Sequence, residues 1–143
     1  MPEARSVIVM DTTKDQVRRI LLADDSECAR SIIRQSLEAD PMMEVCGEAE
    51  DGADAIAKAQ ALDPDLIMLD LAMPEMNGVE AASVLRAKFP ETPIVLVTIY
   101  ENAVGAVLGG MLASTVGVTA AVSKHEGILA ILKCVKKLLN LGS

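Results

Sequence analysis

Two acidic sites in this chain stand where an apolar stretch ends. The run Asp65, Leu66, Ile67, Met68, Leu69 reads as a buried parallel strand, and Asp70 is where its apolar character stops. Strands covered on both faces are continuously apolar rather than alternating, which is why this reading holds. Residues Ile20, Leu21, Leu22 and Ala23 make a second such strand, ending on the pair Asp24 and Asp25. Open α/β sheets bind ligands outside the carboxyl ends of their strands, so both acidic sites fall where chemistry is done.

Carboxylates gathered at one edge repel and raise at least one proton affinity. A hard divalent cation relieves that repulsion, and a few protein oxygens completed by water suit Mg²⁺. A carboxylate can also attack phosphorus and become an aspartyl phosphate, a transfer that asks mainly for in-line positioning and charge neutralisation. Two further strand ends offer the neutralising groups, Thr98 after the strand over 94–98 and Lys124 after the strand over 118–122. The cation would offset one face of a phosphoryl group, the Lys124 ammonium another, and the Thr98 hydroxyl a third oxygen. Singly, each residue has a plain structural role as helix cap, strand former or solvated charge. Their recurrence at equivalent strand ends is what points to a site. Asp70 attacks as the anion, so no general base is needed, and the sole histidine, His125, is read as a surface residue.

The elements that must position these groups alternate along the chain. Residues 1–16 precede the regular pattern and are expected to form a flexible extension, leaving 17–143 as one domain. A strand over 18–23 leads to a helix capped by Ser26, with Ala29, Ile32, Ile33 and Leu37 as its apolar stripe. Asp40 and Pro41 stop it. Then follow a strand over 44–49, an Ala-rich helix over 52–62, and the strand over 66–69. A helix over 78–88 turns Val79, Ala82 and Leu85 inward, and the strand over 94–98 is β-branched. A helix is expected over 102–115, although Gly105, Gly109 and Gly110 each weaken it by about 1 kcal/mol relative to Ala. A strand over 118–122 and a helix over 126–139, burying Ile128, Ile131, Leu132, Val135 and Leu138, complete the pattern. Strict alternation of this kind predicts an α/β fold of (βα)5 type, a doubly wound five-stranded parallel sheet in three α/β/α layers.

At 143 residues the chain can bury a core unaided. Phe89 and Tyr100 are its only aromatic residues, so that core must be aliphatic and Ala-rich. A net charge of −8 disfavours direct contact with nucleic acid. Cys28, Cys46 and Cys134 have no metal-ligand spacing and are expected to be small buried hydrophobes in a reducing compartment. The apolar run over 6–10 is too short for a signal peptide, and the uncharged run over 102–123 is broken by glycines, which argues against a membrane span. A cytoplasmic protein is expected.

The stretches LLADDSE, PDLIMLDLAMPEMNG, PIVLVT and GVTAAVSK together resemble the receiver domain of two-component response regulators, in tone nearest the NarL/FixJ-type branch. The likeness runs from about 18 to 139. It implies a flavodoxin-like fold whose Asp70 takes a phosphoryl group from a sensor histidine kinase or phosphotransfer protein. It also implies Mg²⁺ held by Asp25, Asp70 and the backbone carbonyl of Ala72, with Asp24 acting through water. Thr98 matches the switch hydroxyl and Lys124 the phosphate-binding lysine. Such a domain signals through the helix over 102–115 and the next strand, as a self-phosphorylating and self-dephosphorylating switch rather than a turnover enzyme.

Three features depart from the family pattern. Ala121 stands where an aromatic switch residue is common, His125 replaces a frequent proline, and the interval from Thr98 to Lys124 is about one helical turn longer than usual. The segment over 102–123 could form an interface with a second copy or an effector protein, or simply a well-buried helix. The chain is expected to be a stand-alone regulator or the input part of a DNA-binding one. The alternative is a pseudo-receiver that binds partners without being phosphorylated. A dehalogenase-type phosphohydrolase would need a second acid at Ala72, and a flavin phosphate would be repelled by Asp24 and Asp25. Tyr100, just past Thr98, is expected to limit water access to the site. Tyr100→Ala should therefore shorten the life of the phosphorylated form, read as faster loss of label; an unchanged decay would refute this.

Overall fold

The computed structural model describes residues 16–99 and 117–141. The N-terminal extension up to residue 15, Tyr100 and the helix expected over 102–115 lie outside the described residues. Strands β1 (Arg18–Ala23), β2 (Met43–Ala49), β3 (Leu66–Asp70), β4 (Ile94–Thr98) and β5 (Ala120–Ser123) form one sheet in the order β2-β1-β3-β4-β5. Every neighbouring pair is parallel. The described helices are α1 (Glu27–Glu38), α2 (Gly52–Leu62), α3 (Gly78–Lys88) and α4 (Ile128–Leu138). The chain steps outward from β1 to β2 and then returns past β1 to β3. That reversal puts helices on both faces, as a doubly wound sheet requires.

Alternation of side chains along each strand divides the core in two. Leu21, Ala23, Ile67 and Leu69 pack with Ala55, Ala59, Ala81, Ala82 and Leu85 of α2 and α3. Ile20, Leu22, Met68 and Val97 pack with Ile33, Leu37, Ile131 and Val135 of α1 and α4. The expected three-layer flavodoxin-like architecture is the one observed. Most of the side chains that α2 and α3 turn to the sheet are alanines, with Phe89 at the end of α3 the one aromatic residue packed against this cluster among the described residues.

Local chemistry sets the boundaries. Ser26 Oγ accepts from the Ala29 N–H at 3.2 Å and starts α1, and Asp51 does the same for α2 through Asp54. At α3 Asn77 and Glu80 form a reciprocal capping box. Asp63, at φ 48, closes α2 in the left-handed conformation usual for a helix end.

The strand expected over 118–122 is observed as Ala120–Ser123, and four expectations about the helices and cysteines need correction. On α1 the inward stripe is Arg30, Ile33 and Leu37, whereas Ile32 is 55% exposed. At about 100° per residue Ile32 falls outside the stripe and Arg30 falls in it. The last helix begins at Ile128 rather than 126, because Lys124–Glu126 is a separate 3-10 turn and Gly127, at φ 90, breaks the chain between them. Its buried residues are Ile131 and Val135, with Ile128, Leu132 and Leu138 only half-buried. Cys46 and Cys134 are half-buried, but Cys28 is exposed and contributes nothing to the core.

Gly78 is the residue whose lack of a side chain the site depends on. A Cβ there would sit 2.4 Å from the Asp70 carbonyl oxygen and 2.9 Å from Leu96 Cδ1. Gly78→Ala should destabilise the fold by about 2 kcal/mol, the usual cost of overpacking. Its chemical-denaturation midpoint should fall accordingly; an unchanged midpoint would show that the start of α3 can shift freely.

Candidate functional site

Parallel strands deliver their carboxyl ends to one edge, and the register fixes who meets whom there. Ala23 pairs with Leu69, so Asp24 follows β1 beside Asp70 at the end of β3. Asp70 pairs with Val97, which puts Thr98 one residue farther out on β4. Thr98 in turn pairs with Ser123, directly before Lys124. Asp24 is 2% exposed and Asp70 7%, while Asp25 is exposed and Thr98 buried.

One oxygen from each of Asp24, Asp25 and Asp70 lies within 4.8 Å of the others. Lys124 Nζ donates to Asp24 Oδ2 at 2.8 Å and stands 3.6 Å from Asp70 Oδ1. The other Asp24 oxygen accepts from the Ser26 N–H at 2.8 Å. Three carboxylates against one ammonium leave two negative charges uncompensated when all are ionised. That imbalance, together with an all-oxygen donor set, fits a hard divalent cation. Asp70 carries the strain: burial, then repulsion from Asp24 and Asp25, pushes its carboxyl up to about 6 against the opposing pull of Lys124 and of the Ala72 backbone N–H. Burial acts to lower the Lys124 ammonium, but the hydrogen bond to Asp24 and the attraction of Asp70 outweigh it and hold the group above its ordinary range.

The structure therefore brings Asp24, Asp25, Asp70 and Lys124 into one crevice, with Thr98 at the adjoining strand end. Ala72 lies in the loop just after Asp70, which is secured on both sides: Leu71 donates to the Val97 carbonyl at 3.1 Å, and Gly52 to the Met76 carbonyl at 3.2 Å. His125 is exposed, as expected.

Two supports escaped the sequence reading. Lys124 is presented by the 3-10 turn, in which Ser123 Oγ accepts from the His125 N–H at 3.1 Å and Glu126 Oε2 from the Ser123 N–H at 3.3 Å. The Ser-x-x-Glu spacing of such a box was legible. Arg30 is buried and donates to the Asp24 carbonyl. Its signal was a charge three and seven residues before Ile33 and Leu37.

Residues 20–136 match the family model described as the response regulator receiver domain. The chain belongs to this family. It is 41% identical over 80 residues to a protein-glutamate methylesterase/protein-glutamine glutaminase of Pyrococcus abyssi, a match covering 56% of this chain and 22% of that protein. With the uncharacterized transcriptional regulatory protein YxjL of Bacillus subtilis it shares 40% identity over 89 residues, 62% of this chain and 40% of that one. The chain thus spans less than half the length of these curated relatives. Among solved structures, the response regulator domain of Thermotoga maritima CheB superposes with a TM-score of 0.78 at 28% identity, covering 90% of this chain and all 100% of that one. The receiver domain of the regulator NarL from Mycobacterium tuberculosis gives 0.76 at 26% identity, covering 87% and 98%. Similarity thus extends to CheB as well as to the NarL type. Among the described residues no helix of this receiver domain is long and apolar enough to cross a membrane.

A raised carboxyl means that the neutral form of Asp70 favours folding. Its contribution is complete below the unfolded value of about 3.8 and is lost as pH rises through about 6. In chelator, Asp70→Asn should therefore be more stable than wild type above that upper value, by about 3 kcal/mol. The difference should shrink towards acid. Urea unfolding at several pH values measures it, and a pH-independent difference would show that the crowding of charge does not act on Asp70.

Proposed function

We propose that this receiver domain is a phosphorylation switch in which Asp70 accepts a phosphoryl group from the phosphohistidine of a sensor histidine kinase or phosphotransfer protein. The observation that carries this reading is the buried Asp70 carboxylate, packed with Asp24, Asp25 and Lys124 at a single sheet edge. An Asp70 oxygen forms the new bond to phosphorus as the donor's P–N bond breaks, and the imidazole leaves with a proton. Asp25, Asp70 and the Ala72 carbonyl would hold Mg²⁺, with Asp24 assisting through water. The bound ion supplies positive charge against the phosphoryl oxygens. Lys124 is already within reach of Asp70 and stays protonated, so it neutralises a second oxygen without first having to capture a proton. Thr98, held at the end of β4, offers its hydroxyl to a third.

The switch spans 17–143, with 1–16 as an extension, in a cytoplasmic setting. It processes its own aspartyl phosphate and turns over no external substrate. Output runs through the segment over 102–123 to an effector protein or a second copy, and this chain makes no direct contact with nucleic acid. Ala121, half-buried against the core beneath α2 and α3, has no ring to rotate. The response must therefore pass through Thr98 and the segment that follows it.

Incubation with a small acyl phosphate and Mg²⁺ should add the mass of one phosphoryl group in intact-protein mass spectrometry. Asp70→Asn should take up none, and chelation should slow the wild type on the order of 100-fold, as loss of a charge-stabilising metal does. Uptake that persists in Asp70→Asn would refute the assignment. Metal binding without uptake would favour a pseudo-receiver scaffold.

A further inference from the structure

Arg30 is a charged side chain, 9% exposed, on the inner stripe of α1. Its Nε donates to Glu48 Oε1 on β2 at 2.9 Å, and the same guanidinium donates to the main-chain carbonyl of Asp24. The Asp24 N–H is fixed as well, donating to the Ala49 carbonyl at 3.0 Å. The Asp24 carbonyl belongs to the rigid peptide joining Asp24 to Asp25, so its bond to Arg30 sets the plane from which the Asp25 side chain departs.

Fold stability alone does not explain an arginine at this position. A buried ion pair stabilises little more than an apolar residue of similar size, and an apolar residue here would simply extend the Ile33 and Leu37 stripe. A cation beside an acidic crevice also weakens, through space, the attraction of that crevice for another cation. Some compensating return is needed, and the geometry offers one. A planar fork can hold two acceptors in fixed directions, which an ammonium cannot.

We propose that Arg30, anchored by Glu48, is a positioning residue for the divalent-cation site: it holds the Asp24–Asp25 peptide so that the Asp25 carboxylate faces Asp70. The inference rests on the Mg²⁺ reading above. It predicts an effect opposite in sign to simple electrostatics, because removing a neighbouring positive charge should otherwise tighten cation binding.

Titration calorimetry with MgCl₂ on wild type, Arg30→Met, Arg30→Lys and Arg34→Met tests it. Arg34 pairs with the same Glu48 carboxylate but is exposed, which makes it the control. Both Arg30 variants should bind Mg²⁺ about tenfold more weakly, as loss of a ligand-orienting partner does, while Arg34→Met should match wild type. In chelator, the Ser26 amide, which donates to Asp24 Oδ1, should exchange faster in both Arg30 variants than in Arg34→Met. Should Arg30→Met fail to fold, Arg30→Lys carries the same comparison with charge retained. Folded Arg30 variants that bind Mg²⁺ as tightly as wild type, or more tightly, would overturn the positioning role alone. Wild type that takes up no Mg²⁺ would overturn the metal reading and this inference with it.

Discussion

Like charges held together where water is scarce are the constraint around which this domain is arranged. Every strand of the sheet is parallel, so every strand leaves the core at the same edge. Parallel pairing alone guarantees that arrangement, whatever the side chains are. The sequence then puts Asp24 and Asp70 on adjacent exits, with Asp25 beside them. Apolar burial beneath, from Leu22, Met68 and Val97 on one face and Ala23 and Leu69 on the other, fixes the backbone from which these carboxylates extend. The core thus sustains a repulsion that an isolated peptide would relax.

Much of the remaining structure near the edge answers that repulsion. Lys124 is shared between Asp24 and Asp70, and its position depends on a 3-10 turn closed by Ser123 and Glu126. Ser26 caps α1 with its hydroxyl while its N–H serves Asp24, so one residue ends the loop and satisfies the carboxylate. Gly78 lets α3 begin against the Asp70 carbonyl. None of these contacts is worth more than about 1–2 kcal/mol singly. Together they leave the crevice few ways to rearrange.

The strand ends were legible because buried parallel strands are unbroken apolar runs, and each stops at a polar residue. The bounds expected for the helices over 52–62 and 78–88 match α2 and α3, since Gly, Pro and Asn mark their ends. What hydrophobicity could not reveal was the exchange of Ile32 for Arg30 on α1. Helical geometry reserves that position for a group facing β2 and the Asp24 carbonyl, and an isoleucine cannot donate there. The start of β5 was misplaced for a similar reason. Val118 is buried without joining the strand, and the entry is held by Arg86, which donates to the Gly117 carbonyl at 3.0 Å and to Thr119 Oγ1 at 3.2 Å. That contact spans more than thirty positions and leaves no local pattern. Residue types in the site were readable one at a time, but the donors that orient them belong to other elements.

In the proposed phosphoryl transfer, crowding and reactivity are connected through the proton affinity of Asp70. A more basic carboxylate is a better nucleophile, provided that it remains ionised at the working pH. With its carboxyl near 6, Asp70 gains basicity from burial and from its acidic neighbours, yet is still mostly anionic at neutrality. Further burial, or loss of Lys124, would raise it towards a range where the proton stays on and the attack stops. A closer ammonium would lower it and leave a weaker nucleophile. The 2.8 Å bond from Lys124 to Asp24, against 3.6 Å to Asp70, keeps the cation near the Asp70 carboxylate without committing it there. Asp24 thus acts on both groups, raising the proton affinity of one and restraining the charge of the other.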